Sequence, residues 1–320
     1  MIARKVGRHE AGQRLDRWLR KAFPEASLSA LFAIIRKKKI RVNGKPGKAV
    51  QLVNENDEIN IYENLVEGSA SDVTAKPVVA KDGWTNREID PRLQIVLHHE
   101  DFLVLDKPAG LASQPGSNQK PGDTLVELLW PWADQQGLDY KPALVHRLDQ
   151  ETSGLIIAAL SGQGARGLNA RIREHQVRKE YLALVKGILA EPKGTIDLAL
   201  ERTDSAQGAK MDVGSGKEAV THYQVEQVFA DCSLVRIRLE TGRMHQIRAH
   251  FAAIGHPLLG DGRYGDFAYN RVVRKELGLK RLFLHSALLA FEWSDERILV
   301  EGELPSELKS VLEKAEKLSA

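Results

Sequence analysis

The stretch that most constrains this chain runs from Leu144 to Ala158. The apolar pair Leu144-Val145 leads into a short polar segment, and Leu155-Ile156-Ile157-Ala158 leads out of it. An apolar run of that kind suits a strand buried on both faces. His146, Arg147, Asp149, Thr152 and Ser153 are thereby confined to a loop held at both ends, with Gly154 free to take backbone angles other residues avoid. A carboxylate placed so rigidly can serve as a reacting group. It can equally sit in a turn where Asp149 and Thr152 cap local amides. The segment alone leaves both readings open.

Charge divides the chain in two. Residues 1–54 hold 14 Lys/Arg against 3 Asp/Glu, whereas the other 266 hold 32 against 40. A basic unit ahead of an acidic body is the footprint of an appended polyanion-binding module. With 320 residues the chain can bury a large core and is expected to form two domains. No apolar run approaches the ~20 residues of a membrane span, and the first residues lack the apolar centre of a signal peptide. The single Cys232 excludes an internal disulfide and any cysteine-based zinc site. A cytoplasmic monomer with no membrane partner is expected.

In chain order, Leu15, Trp18, Leu19 and Phe23 stand at helical spacing with basic residues between them. Ser27 or Ser29 can cap a second helix, whose apolar stripe is Leu31, Ile34 and Ile35. Arg36-Lys37-Lys38-Lys39-Ile40-Arg41 then runs into a strand and an Asn43-Gly44 hairpin turn, and two short strands are expected near 50–53 and 59–62. Residues 64–88, rich in Gly, Ser, Ala, Lys and Asp, read as a flexible linker. Paired strands are expected at 93–98 and 102–106, a helix at 123–132, strands at 222–225 and 233–240, and a terminal helix at 303–316. Residues 195–230 otherwise read as Asp/Gly/Ser-rich turns. Leu155–Leu160, Gly162-x-Gly164-x-x-Gly167, a helix and Tyr181–Val185 mimic a dinucleotide-binding unit. The second strand ends at Lys186-Gly187 without the acidic residue such a unit needs, and the glycines are instead expected to turn into a basic helix carrying Arg166, Arg171 and Arg173. His245, His250 and His256 are spaced unlike a helical zinc pair.

The central loop, His146-Arg147-Leu148-Asp149-x-x-Thr152-Ser153-Gly154, resembles the catalytic signature of the RluA-type pseudouridine synthases at every fixed position. Lys107-Pro108-Ala109-Gly110-Leu111, Arg178–Gly187, Thr241–Phe251, Gly255–Asp266 and Arg281–Ala287 resemble further blocks of that family, with the last two most similar to its ribosomal large subunit branch. Residues 12–63 resemble the S4 RNA-binding domain through Arg14-Leu15-Asp16, Leu19 and Ile40–Gly44.

These resemblances imply an α+β catalytic domain, 89–320, built on a central, mostly antiparallel mixed sheet flanked by helices. A small S4-like domain, 1–63, would precede it. They imply isomerisation of uridine to pseudouridine in 23S ribosomal RNA without cofactor or metal. Asp149 would act at C1′, Arg248 would pair with it, and Tyr181 would offer a ring to the base and a hydroxyl near C5. His146, Arg147 and Arg243 would contact the RNA at the site. Arg14, Arg17, Arg36, Lys37, Lys38, Lys39 and Arg41 would track phosphates. Three other readings remain: an inert RNA-binding or assembly factor, a synthase acting on tRNA, or a hydrolase pairing Asp149 with Glu151.

Overall fold

The computed structural model describes residues 2–7, 11–23, 34–35, 37–49, 51–62, 90–116, 122–205, 208–294 and 296–319. The chain divides into two compact units, Met1–Pro77 and Val78–Ala320. The expected linker, Arg36 and most of the second N-terminal helix lie outside the described residues, although Ile34 and Ile35 are helical.

The first unit contains β1 (Ile2–Lys5), β2 (Gln13–Arg14), α1 (Leu15–Ala22), β3 (Ile40–Val42), β4 (Lys45–Pro46), β5 (Leu52–Val53) and β6 (Glu58–Ile61). Strands β1, β6, β3 and β4 form one antiparallel sheet. Asn43 and Gly44 both take positive φ at the β3–β4 turn, as a tight two-residue hairpin of the right twist requires. Leu15, Trp18 and Leu19 of α1 bury against Ile40, Val42, Ile59 and Ile61. The alternation that drives Ile40 and Val42 inward turns Arg41 outward, where its guanidinium lies over the Tyr62 ring.

In the second unit β7 (Gln94–His98) and β8 (Phe102–Lys107) form a hairpin, followed by α2 (Leu125–Gln135), β9 (Ala143–Leu144) and β10 (Ser153–Ala159). Then come α3 (Gly162–Arg173), β11 (Arg178–Lys186), β12 (Lys193–Asp197), β13 (Leu200–Ser205) and β14 (Gly208–Val213). β15 (Val220–Val228), β16 (Cys232–Leu239), α4 (Gln246–Ala253), α5 (Phe267–Glu276), β17 (Leu284–Trp293), β18 (Glu296–Glu301) and α6 (Ser306–Ser319) complete it.

The principal sheet runs β12-β15-β16-β11-β17-β10-β8-β7, with β18 also on β17 and β9 on β10. Its pairs are antiparallel except β10–β17. That one parallel pair disposes of the dinucleotide-binding alternative. β10 and β11 are antiparallel to each other and separated by β17, whereas a βαβ unit would make them parallel. Gly162 and Gly164 are not a turn ahead of the helix but its first residues, capped by Ser161, which accepts from the Gly164 amide at 2.8 Å. A Cβ at Gly164 would stand 2.3 Å from the Asp101 carbonyl; close packing, not phosphate, accounts for this glycine.

The expected turns at 195–230 hide three strands, β12, β13 and β14. The β13–β14 hairpin escaped detection because little of it is apolar: Leu200 and Met211 are buried, while Glu201, Arg202, Thr203 and Asp204 are exposed. One face of the principal sheet packs on α2 through Leu125, Leu129 and Trp132, and on α4 through Ile247 and Phe251. Leu168 of α3 joins the cluster around Phe102, Leu289 and Phe291. β10, buried at every position, lies inside the sheet between β17 and β8, so the loop that feeds it is carried on a well-packed strand.

Candidate active site

The loop between β9 and β10 is fixed from the 107–113 turn. The Ser113 hydroxyl donates to the Leu148 carbonyl at 2.7 Å and accepts from its amide at 3.1 Å. The fully buried Lys107 ammonium donates to the carbonyls of Pro108, Leu111 and Gln150 at 2.9, 2.8 and 3.1 Å. Burial pushes its pKa down to about 7. Three carbonyl acceptors, however, call for all three ammonium protons. Gly154 takes φ +110 where β17 approaches so closely that a Cβ would lie 2.3 Å from the Ser286 carbonyl.

Between these anchors the Asp149 carboxylate does not cap the loop. The Thr152 amide donates to the Asp149 backbone carbonyl at 3.1 Å, while Asp149 Oδ2 accepts from Arg248 Nη1 at 3.1 Å. His245 Nε2 stands 3.8 Å from the same oxygen. Oδ1 enters none of the hydrogen bonds formed among the described residues. Arg248 is buried in α4 and donates from Nε and Nη2 to the two oxygens of the wholly buried Asp261, at 2.8 and 2.9 Å. Arg263 and Tyr264 amides also donate to Asp261 Oδ1, at 2.8 and 3.0 Å. These contacts overcome the burial that would raise the carboxyl pKa, and hold it below the ordinary value. Burial works against the Arg248 charge, but its bonds to Asp261 and the charge of Asp149 raise its pKa further.

A β-bulge between Glu180 and Tyr181 re-aims the Tyr181 side chain. Its hydroxyl is held protonated by burial and by the charge of Asp149, a shift partly offset by Ser286. Asp149, Tyr181 and Arg248 thus line one cleft of about 860 Å³ together with His146, Arg147 and Arg243. Arg147 is exposed on its rim. Arg243 is also exposed, its Nε donating to the Glu218 carbonyl at 3.0 Å.

His146 differs from expectation. Its Nε2 accepts from the Ile157 amide at 3.1 Å, so the ring has to be neutral. Burial and nearby Lys179 push its pKa down to about 3. It holds the loop to β10 and carries no charge for phosphate. Arg173 and Lys179 line the same cleft and make its wall basic, with His175 beside them. Sequence placed Arg173 on a basic helix and Lys179, His245, Asp261 and Tyr264 within family blocks but gave them no role, since their importance comes from what the fold brings near them. The three histidines go separate ways: His245 Nδ1 to the Tyr264 hydroxyl, His250 Nε2 to the Leu198 carbonyl and His256 Nδ1 to the Lys186 carbonyl. Glu151 is exposed, and the carboxylate nearest in function to Asp149 is Asp261, already engaged by Arg248.

In the first unit Arg14 pairs with Asp16 at 2.6 Å. Lys37, Lys38, Lys39 and Arg41 are exposed on and before β3, and Arg17 lies in α1.

The RNA pseudouridylate synthase family matches residues 101–253, and the S4 domain family matches residues 13–59. The ribosomal large subunit pseudouridine synthase C of Salmonella typhi is 33% identical over 321 residues, covering 96% of this chain and 94% of that one. The chain belongs to the RNA pseudouridine synthase family. The synthase C of Escherichia coli K12 is likewise 33% identical, over 95% of this chain and 93% of its own. An uncharacterized RNA pseudouridine synthase of Bacillus subtilis is 29% identical over 96% of both chains. The solved human RNA pseudouridylate synthase domain containing 4 superposes with a TM-score of 0.57 at 25% identity, covering 69% of this chain and 92% of that one. The α+β fold, the S4 domain and the isomerase class follow from these matches. No helix among the described residues is long and apolar enough to cross a membrane.

Proposed function

We propose that the chain converts uridines of 23S ribosomal RNA to pseudouridine, with Asp149 as the group that acts at C1′. The observation that carries this reading is the asymmetry of the Asp149 carboxylate in a cleft with a basic wall: Oδ2 is tied to Arg248, while Oδ1 enters no hydrogen bond among the described residues. The relatives named for the ribosomal large subunit support the choice of RNA. Such a substrate would place the protein in the cytoplasm.

Breaking the N1–C1′ bond leaves C1′ electron-poor, and a carboxylate oxygen beside it can attack or stabilise it. The uracil turns, C5 joins C1′, the C5 proton leaves and N1 gains one. Arg248 gives Asp149 a cationic partner and fixes its rotamer. The Tyr181 ring packs against the splayed base. A protonated hydroxyl cannot take the C5 proton outright, so Tyr181 would pass it on by giving its own to solvent water, from which N1 draws the proton it gains. Arg147 and Arg243 contact the strand around the flipped uridine, and His146 holds the loop. Residues 1–63, with Arg14, Arg17, Arg36, Lys37, Lys38, Lys39 and Arg41, add affinity for the RNA backbone. Residues 64–88 link that domain to the catalytic domain, 89–320.

Asp149→Asn is the test, since Asn has nearly the same shape and lacks the anionic oxygen. The variant should melt near the parental temperature and bind a 23S transcript, yet release no tritium from C5-labelled uridine. Appreciable release by the folded variant would refute the reading. Activity on tRNA transcripts alone would move the substrate and leave the chemistry.

A further inference from the structure

The Asp149 carboxylate has a second neighbour that the mechanism above does not use. His245 is the residue before α4 and is held at φ 51, ψ 20, a left-handed conformation uncommon outside glycine. Its ring faces two ways. Nε2 lies 3.8 Å from Asp149 Oδ2, and Nδ1 lies 3.0 Å from the Tyr264 hydroxyl. Tyr264 Oη itself accepts from the Met211 amide of β14 at 2.7 Å. Among the described residues, Nδ1 is the one acceptor the structure gives the Tyr264 proton. A tyrosine hydroxyl that accepts one bond and donates one would therefore give its proton to Nδ1. A neutral imidazole protonated on one nitrogen must then carry its own proton on Nε2, the nitrogen turned toward Asp149.

We infer that Met211, Tyr264 and His245 form a directional hydrogen-bond relay that presents the His245 Nε2–H to Asp149 Oδ2, leaving Oδ1 as the oxygen that meets C1′. The inference rests on the assignment of Asp149 given above. His245 and Tyr264 are positioning residues in it. Arg248 Nη1 already donates to Oδ2, and His245 Nε2 as a second donor there would hold the carboxylate plane against rotation. They leave the lone pairs of the other oxygen unshared. The pair stands at 3.8 Å, beyond hydrogen-bond reach, and the relay requires that this separation shorten when substrate is bound. The Tyr264 ring is itself seated: the Arg248 guanidinium and the Lys210 ammonium lie 5.3 Å from its centroid, and its amide donates to Asp261. Burial keeps its hydroxyl protonated and able to donate. The relay begins in the β13–β14 hairpin, so contacts made by that hairpin bear on the orientation of Asp149.

The full-length enzyme labelled with ¹⁵N-histidine tests the relay without turnover. His245, identified by its loss in His245→Gln, should show the neutral Nε2–H tautomer, and Tyr264→Phe should shift it toward Nδ1–H. In single-turnover tritium release from a C5-labelled 23S transcript, Tyr264→Phe should lower the chemical rate about tenfold with RNA affinity unchanged. His245→Gln, whose amide can reach Oδ2 from the same side, should be slowed less than His245→Leu. An Nδ1–H tautomer in the parental enzyme, or a parental chemical rate in a folded Tyr264→Phe, overturns the relay. Those outcomes leave the Asp149 assignment standing, whereas an active Asp149→Asn removes it whatever the tautomer.

Discussion

Arg248 reaches Asp149 through a single nitrogen, Nη1 to Oδ2 at 3.1 Å, while its Nε and Nη2 are bound to Asp261. The buried guanidinium is thus neutralised and oriented by Asp261, and Asp149 meets a cation that is already in place. The carboxylate proposed to act and the carboxylate that anchors are different residues.

Removing the anchor should cost more than removing the acting group. Asp261→Ala leaves the Arg248 charge buried with one partner, Asp149, held through a single nitrogen, which should lower stability by about 3–5 kcal/mol. Urea unfolding measures this, and tritium release at a temperature where the variant is folded should also fall. A drop under about 1 kcal/mol with normal turnover would show that Arg248 needs no second carboxylate.

The neutral state of His146 gives stability a definite pH dependence. Its folded pKa is pushed from the ordinary 6.5 down to about 3. Below pH 6.5 the unfolded chain binds a proton there that the folded chain refuses, so stability falls as pH drops from about 6.5 toward 3. His146→Gln keeps an acceptor for the Ile157 amide and cannot titrate. It should flatten the decline by about 1–2 kcal/mol at pH ~5. Parallel stability–pH curves for the two proteins would contradict the assignment.

Tyr181→Phe keeps the ring and deletes the hydroxyl. Binding of the transcript should persist while turnover collapses, because the C5 proton loses its path. Near-normal turnover would confine Tyr181 to stacking.

The N-terminal unit should carry affinity and not chemistry. A chain beginning at Val78, the boundary between the two compact units, should fold. It should bind RNA more weakly and with a shallower dependence of log K on log salt, since each phosphate left without its cationic partner lowers the slope by about one unit. Equal slopes for the full and shortened chains would place the phosphate-binding residues elsewhere.

Much of this architecture is legible in the residues. The alternation Ile40-Arg41-Val42, the Asn43-Gly44 turn, the helical spacing of Leu15, Trp18 and Leu19, and the unbroken apolar run of β10 each report a local rule. The match of the 146–154 loop to a known signature singled out Asp149, and the match at 241–251 named Arg248 as its partner. Local rules failed where burial is sparse, as in β13–β14, and where one pattern serves two folds, as in the glycines of α3. Only the tertiary structure settled the direction of β10 against β11, because strand order is a property of pairing across the sheet.

The site shows the same division. Sequence determined that a carboxylate would stand on a clamped polar loop ahead of a buried strand. The geometry around that carboxylate was decided by the fold: Arg248 is 99 residues away, His245 stands beside it, and Asp261, Tyr264 and Met211 hold those two at positions no spacing rule relates to Asp149. Periodicity records which face of an element is buried. It does not record which buried charge will meet which, because that depends on loop closures among elements distant in the chain.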